Sequence, residues 1–65
     1  MKPHQERVVT EQKELAEKLE KLTAFTFTDT FSALPKDEQE RLNRQHAIME
    51  QYSNVLDERI AAFTP

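Results

Sequence analysis

The sequence predicts an all-α fold: an antiparallel helical hairpin of two long helices with an aromatic-rich connecting turn. Two segments of the 65-residue chain repeat apolar residues at steps of three and four, which is the period of one helix face. Each segment begins at a proline, Pro3 or Pro35, a residue favoured in the first turn of a helix. The chain contains no Gly, so it lacks the residue that tight β-hairpin turns favour.

The first predicted helix runs from Pro3 to about Thr23. Its apolar face consists of Val8, Leu15, Leu19, Leu22 and Phe25. The remaining faces are charged, and we expect Lys18 and Lys21 to lie in the last turns, where cations stabilise the helix dipole.

The connecting stretch, residues 24–34, is rich in threonine and aromatic residues, which lowers its helix propensity. Thr28 or Asp29 is expected to cap a short turn there. Four apolar residues are expected to close this end of the hairpin: Phe25, Phe27, Phe31 and Leu34. A strand over residues 25–28 would fit the alternation, but the chain offers no second strand to pair with it.

The second predicted helix starts at Pro35, carries Asp37, Glu38 and Glu40 in its first turns, and ends at Pro65. Its apolar positions are Leu42, Ile48, Met49, Tyr52, Val55, Leu56, Ile60 and Phe63. This arc is wider than one neighbouring helix can cover. Because a chain of this size builds only a small core, the sequence predicts one domain, residues 1–65, that assembles as a homo-oligomeric helical bundle.

Composition and charge exclude several classes of function. Without cysteine the chain has neither disulfides nor thiolate metal sites. A net charge of −3 argues against binding to duplex nucleic acid, which needs a basic face. No apolar run reaches the roughly 20 residues of a membrane span, so no membrane association is expected. The start of the sequence shows no basic, apolar leader, which leads us to expect a cytoplasmic protein.

A row of mixed residues on the second helix is the most informative pattern. Its members, spaced by three and four, are Arg41, Gln45, Ile48, Tyr52, Val55 and Arg59. Arginine grips phosphate, tyrosine offers a stacking face, and glutamine can read the edge of a base. The sequence therefore predicts a site for a small anionic, nucleotide-type ligand. We expect Arg41, Gln45, Tyr52 and Arg59 to bind it, with Arg7, Glu11 and Lys18 contributed by a neighbouring helix.

A purely structural interpretation of the same residues is also open. Arg59 would then pair with Glu11 and Arg41 with Asp37, while Gln45 and Tyr52 would form hydrogen bonds between helices. His46 and Glu50 have the spacing of two metal ligands, but no third ligand matches them, so a solvated pair and no metal site is predicted. No nucleophile, base and orienting group can be assembled, so we expect neither catalysis nor a cofactor.

Three segments of the chain resemble a family of small phage proteins that is related to a reading frame of a crAss-like phage. The segments are MKPHQERVV, FSALPKDEQERL and YSNVLDERIAAF, and the resemblance covers nearly the whole sequence. In size, acidity and helical build, the chain also resembles the phage anti-CBASS and anti-Thoeris sponges, including the Sequestin group. Those proteins bind cyclic nucleotides or ADP-ribose derivatives between subunits and withhold them from host effectors.

The resemblance implies an anti-defence protein in the cytoplasm of the infected host, which sequesters a nucleotide-derived immune signal in pockets between subunits. It assigns no binding residue, since none can be matched one by one. The alternative is a protein–protein interaction module that inhibits a host defence protein or acts as an assembly adaptor.

Overall fold

The computed structural model describes residues 1–64, and every regular element in that range is a helix, which confirms the all-α part of the predicted fold. It contains α1 (Pro3–Phe25), the short α2 (Asp29–Ser32) and α3 (Lys36–Ala61). The described chain measures 49 × 14 × 13 Å, so it is a rod about as thick as two helices lying side by side.

The start of α1 is held by Gln5, a polar residue that is only 8% exposed. Its Oε1 accepts a hydrogen bond from the backbone N–H of Lys2 at 3.1 Å, and Pro3 occupies the first turn as predicted. At the other end, α1 continues two residues beyond Thr23, to Phe25. The last turn of α1 therefore carries no basic residue, and Lys18 and Lys21, expected in the last turns, lie in the turn before it.

Residues 26–34 hold the short helix α2, capped by Thr28, whose Oγ1 accepts a hydrogen bond from the backbone N–H of Phe31. Phe25 and Phe31 meet edge to face, with ring centroids 6.0 Å apart. Phe27, in contrast, is 85% exposed, so its predicted place in the closing cluster is wrong. It lies in the tight turn that follows α1, where its N–H donates back to the carbonyl of Ala24.

Helix α3 begins one residue after Pro35 and carries Asp37 and Glu38 in its first turn. The Gln39 side chain fixes this start, because its Nε2 donates to the backbone oxygens of Leu34 at 2.8 Å and Ser32 at 3.2 Å. The expected stop at Pro65 lies outside the described residues. The helix ends earlier, at Ala61.

The core lies between α1 and α3 and is small. Its buried members are Val8, Leu15 and Leu56, and Leu56 has no exposed surface. Met49, Ile60 and Phe63 pack around them and are partly buried. All three lie in or just after α3, so both long helices contribute to the core.

Hydrogen bonds between side chains fix the register of α1 on α3. The Nε2 of Gln12 donates to Ser53 Oγ at 3.1 Å and to Asp57 Oδ1 at 2.7 Å. Further along α1, Thr23 Oγ1 lies 2.7 Å from the Nε2 of His46, which is earlier on α3. Later residues of α1 thus meet earlier residues of α3, and the two helices run in opposite directions where they touch.

Candidate functional site

The middle of α3 exposes apolar side chains that the chain leaves uncovered. Ile48 is 60% exposed, Val55 49% and Tyr52 42%, whereas Leu56, the next residue after Val55, is fully buried. We call Ile48, Tyr52 and Val55 the α3 stripe. A contiguous apolar row of this kind is typical of surfaces that bind a ligand or another protein.

Polar residues extend the α3 stripe at both ends. Arg41 is held by carboxylates of its own helix, with its Nε 2.8 Å from Glu38 and an NH nitrogen 3.6 Å from Asp37. The pairing with Asp37 is the one that the structural interpretation predicts. Gln45 makes only a weak bond, at 3.8 Å, to the sulfur of Met49.

Arg59 and Tyr52 are the two polar members of the row on α3 whose side chains have no bonding partner within residues 1–64. Within residues 1–64, neither side chain makes a hydrogen bond or an ion pair. The alternative pairing of Arg59 with Glu11 is therefore not formed, and Tyr52 does not bond across the helices. An arginine on the same helix face as an exposed aromatic ring, two turns away, is suited to bind a phosphate while the ring stacks on a base.

The three residues predicted to come from a neighbouring helix all lie on α1. Arg7 and Glu11 line an open depression of about 430 Å³ on the outer side of that helix. Its other lining residues are Pro3, Glu6, Thr10 and Glu14. Lys18 lies further along, exposed, and has no ion pair among the described residues. One copy of the chain therefore does not bring these residues and Arg59 into a single closed cavity.

Helix geometry places the candidate residues on one side of the rod. Residues advance around a helix at 3.6 per turn, so Arg7, Glu11 and Lys18 lie about a quarter-turn from the contact with α3. The α3 stripe lies about a quarter-turn from the contact with α1, towards the same side of the pair. We call this the open side.

The opposite side of the rod is closed by polar contacts between the two long helices. Both bonded sets, Gln12 with Ser53 and Asp57, and Thr23 with His46, lie on it. The open side has no such link among the described residues and instead carries exposed apolar groups and arginines.

Sequence reasoning missed the residues that fix the two helices together. His46 is predicted to be a solvated partner of Glu50; its Nδ1 does lie 3.1 Å from Glu50 Oε1, but its Nε2 also reaches Thr23. Gln12 and Ser53 have no predicted role, although Gln12 falls on the helix face of Val8 and Leu15, a position that could have indicated an interhelical contact.

Two further properties bear on the site. The described residues contain no group of three or more His, Cys, Asp or Glu side chains placed to hold a metal ion. None of their helices is both long enough and apolar enough to cross a membrane.

A comparison with protein-family models decides the family. The model of the family named Sequestin matches residues 2–62, nearly the whole chain. The chain belongs to the Sequestin family. Membership of this Sequestin family indicates a sequestering role in anti-defence. Comparisons with curated proteins and with solved structures found no match.

Proposed function

We propose that this Sequestin-family protein sequesters a nucleotide-derived immune signal, a cyclic nucleotide or an ADP-ribose derivative, in pockets between subunits of a homo-oligomer. It would act in the cytoplasm of the infected host and bind its ligand without turnover. Inhibition then follows from mass action, since each bound signal molecule is unavailable to the host effector.

The observation that carries this proposal is the composition of the open side. Tyr52 presents an aromatic ring that is 42% exposed, and Arg59 follows it two helical turns later with no partner among the described residues. A guanidinium group binds phosphate with two parallel hydrogen bonds, and a ring of this kind stacks on a base. Because both residues stand on one helix, the spacing of their backbone positions is already fixed before a ligand binds.

The arrangement within one chain also supports a site shared between subunits. Arg7 and Glu11 border a depression that is open to solvent, and the α3 stripe is uncovered. A small ligand is held best where 70–90% of its surface is enclosed. A second copy that covers the open side would supply the missing wall.

Isothermal titration calorimetry against a panel of cyclic dinucleotides, cyclic ADP-ribose isomers and His-ADP-ribose tests the proposal. We expect at least one compound to bind, and we expect Arg59→Gln to weaken that binding about ten- to a hundredfold. Lys13→Gln, on exposed α1 surface away from the predicted site residues, is the matched control and should bind normally. Absence of binding to every compound would overturn the proposal.

The competing hypothesis is a protein–protein inhibitor or assembly adaptor, because the α3 stripe could also lie in the groove of a host protein. Capture of one stoichiometric host protein, with the nucleotide pool unchanged, would favour that hypothesis. Disruption of the capture by Tyr52→Glu would assign the contact to the α3 stripe.

A further inference from the structure

We propose that α3 packs antiparallel against α3 of a second copy, through the α3 stripe, and that this pairing completes two equivalent anion sites. The identity of the ligand in these sites rests on the proposed function, whereas the pairing of the two helices does not. Its basis is the order of side chains along the exposed face of α3.

The apolar part of that face is suited to two-fold symmetry. A two-fold contact requires a patch that is complementary to itself. In the α3 stripe, Tyr52 is central, and Ile48 and Val55 flank it on either side. A two-fold rotation about an axis perpendicular to the helix therefore places Ile48 of one copy near Val55 of the partner subunit. The tyrosines of the two copies then lie at the centre of the contact.

Charges beside the stripe specify the antiparallel direction. Arg44, Gln51 and Glu58 are spaced by seven and follow one edge of the α3 stripe. A two-fold axis near residue 51 sets Arg44 opposite Glu58 of the partner subunit, and Gln51 opposite Gln51 of the partner subunit. In a parallel two-fold pair the same edge of the two helices lies on opposite sides of the contact, so Arg44 and Glu58 of the two copies would not face each other.

Arg44 and Glu58 are available for such a contact. Both are exposed, and neither has an ion pair within residues 1–64. They are 14 residues apart in one helix, a distance of about 21 Å that rules out a bond between them inside one subunit. Only a second chain can bring them together.

The same axis brings Arg41 and Gln45 to within about one helical turn of Arg59 of the partner subunit. Two guanidinium groups at one level repel each other unless an anion lies between them. Arg41 can turn to such an anion, since its pairs with Asp37 and Glu38 are largely exposed and exposed ion pairs contribute little. Each end of the dimer then holds a site for the phosphates of one nucleotide.

Charge reversal tests the pairing without any ligand. In sedimentation equilibrium we expect the wild-type chain to be a dimer or a larger even-numbered assembly, and Arg44→Glu to weaken the contact about tenfold. Glu58→Arg should weaken it similarly, and the double variant R44E/E58R should restore it. Far-ultraviolet circular dichroism checks that each variant is folded.

Cysteine crosslinking gives an independent readout, because the chain has no cysteine of its own. Gln51→Cys should form a disulfide-linked dimer, whereas Glu50→Cys, one residue further back and on the other side of α3, should not. A monomeric wild type, a double variant no better than the single ones, or equal crosslinking at both positions would overturn the inference. Dimerisation without nucleotide binding would support the pairing and remove only the proposed function.

Discussion

Thr23 and His46 join the two long helices through a single short hydrogen bond, with Thr23 Oγ1 2.7 Å from His46 Nε2. The hydroxyl hydrogen of Thr23 is directed to the carbonyl oxygen of Leu19 at 2.8 Å. In this arrangement the hydroxyl oxygen can accept a hydrogen bond from the His46 tautomer that carries its proton on Nε2. On the other side of the ring, Nδ1 lies 3.1 Å from Glu50, so one polar chain runs from α1 to the outer face of α3.

Thr23→Val tests the contribution of this bond. Valine keeps the shape of threonine but leaves His46 Nε2 without its acceptor. We expect the free energy of unfolding to fall by about 1 kcal/mol in urea titrations followed by circular dichroism. Thr10→Val, on the exposed surface of the same helix, is the control and should change it by less than about 0.5 kcal/mol. Equal effects at the two positions would contradict a role for the bond.

Substitutions of Gln12 should change the free energy of unfolding in a direction that depends on the charge of the new side chain. Its Nε2 donates to Asp57 and Ser53, while its Oε1 is buried without a partner among the described residues. Gln12→Glu replaces the donor by a second carboxylate beside Asp57 and should lower the free energy of unfolding by about 1–2 kcal/mol. Gln12→Lys removes the unpaired oxygen and should be at least as stable as wild type.

The rescue variant for Gln12→Glu is Asp57→Asn, which removes the charge that the new carboxylate faces. Chemical denaturation should show that Q12E/D57N recovers part of the lost stability. If Gln12→Glu and Gln12→Lys destabilise the chain equally, the contact with Asp57 does not fix the helices as described.

Truncation of Leu56 and truncation of Phe27 should affect stability very differently, although both residues are large and apolar. Leu56 has no exposed surface and lies in the core with Val8 and Leu15, so Leu56→Ala should cost about 2–5 kcal/mol. Phe27 is 85% exposed, and Phe27→Ala should change stability by less than about 0.5 kcal/mol. Thermal melts of the two variants check this; a large loss at Phe27 would mean that it packs against another element.

Helix positions could be predicted from the sequence because they depend on local signals. Pro3 and Pro35 mark the helix starts to within one residue, and Thr28 is the predicted cap. Leu56 belongs to the predicted apolar face. These features need only the period of the pattern and the backbone preferences of single residues.

The contacts between the two long helices could not be predicted from the sequence, because they depend on how one helix is rotated against the other. Gln12 bonds to residues 41 and 45 positions away in sequence, and His46 bonds to a residue 23 positions away. The spacing of polar side chains along a helix does not indicate which residue of another helix they contact. Phe27 has the residue type of a core position, but the turn after α1 directs it outward. The grouping of Arg7 with Arg59 in one ligand site stays a prediction, since it depends on a second copy.

Subunit mixing tests whether the proposed anion site is shared. Arg41→Gln and Arg59→Gln homodimers should each bind the tightest nucleotide of the calorimetry panel weakly, because every site lacks one arginine. In a mixed dimer of the two variants, one site lacks both arginines and the other site keeps both arginines. Mixing the variants should therefore restore full-affinity binding to a fraction of the sites. Calorimetry that shows no restoration would mean that both arginines act within one subunit.

Sequestration without turnover is tested by recovering the ligand after it has bound. The protein is incubated in excess with each cyclic dinucleotide and ADP-ribose derivative, the free compound is separated by filtration, and the retained protein is then denatured by heat. We expect free ligand to fall in proportion to the protein added and heating to release the bound ligand chemically intact. Ligand that stays free throughout would rule out sequestration, and ligand released as a new product would show turnover.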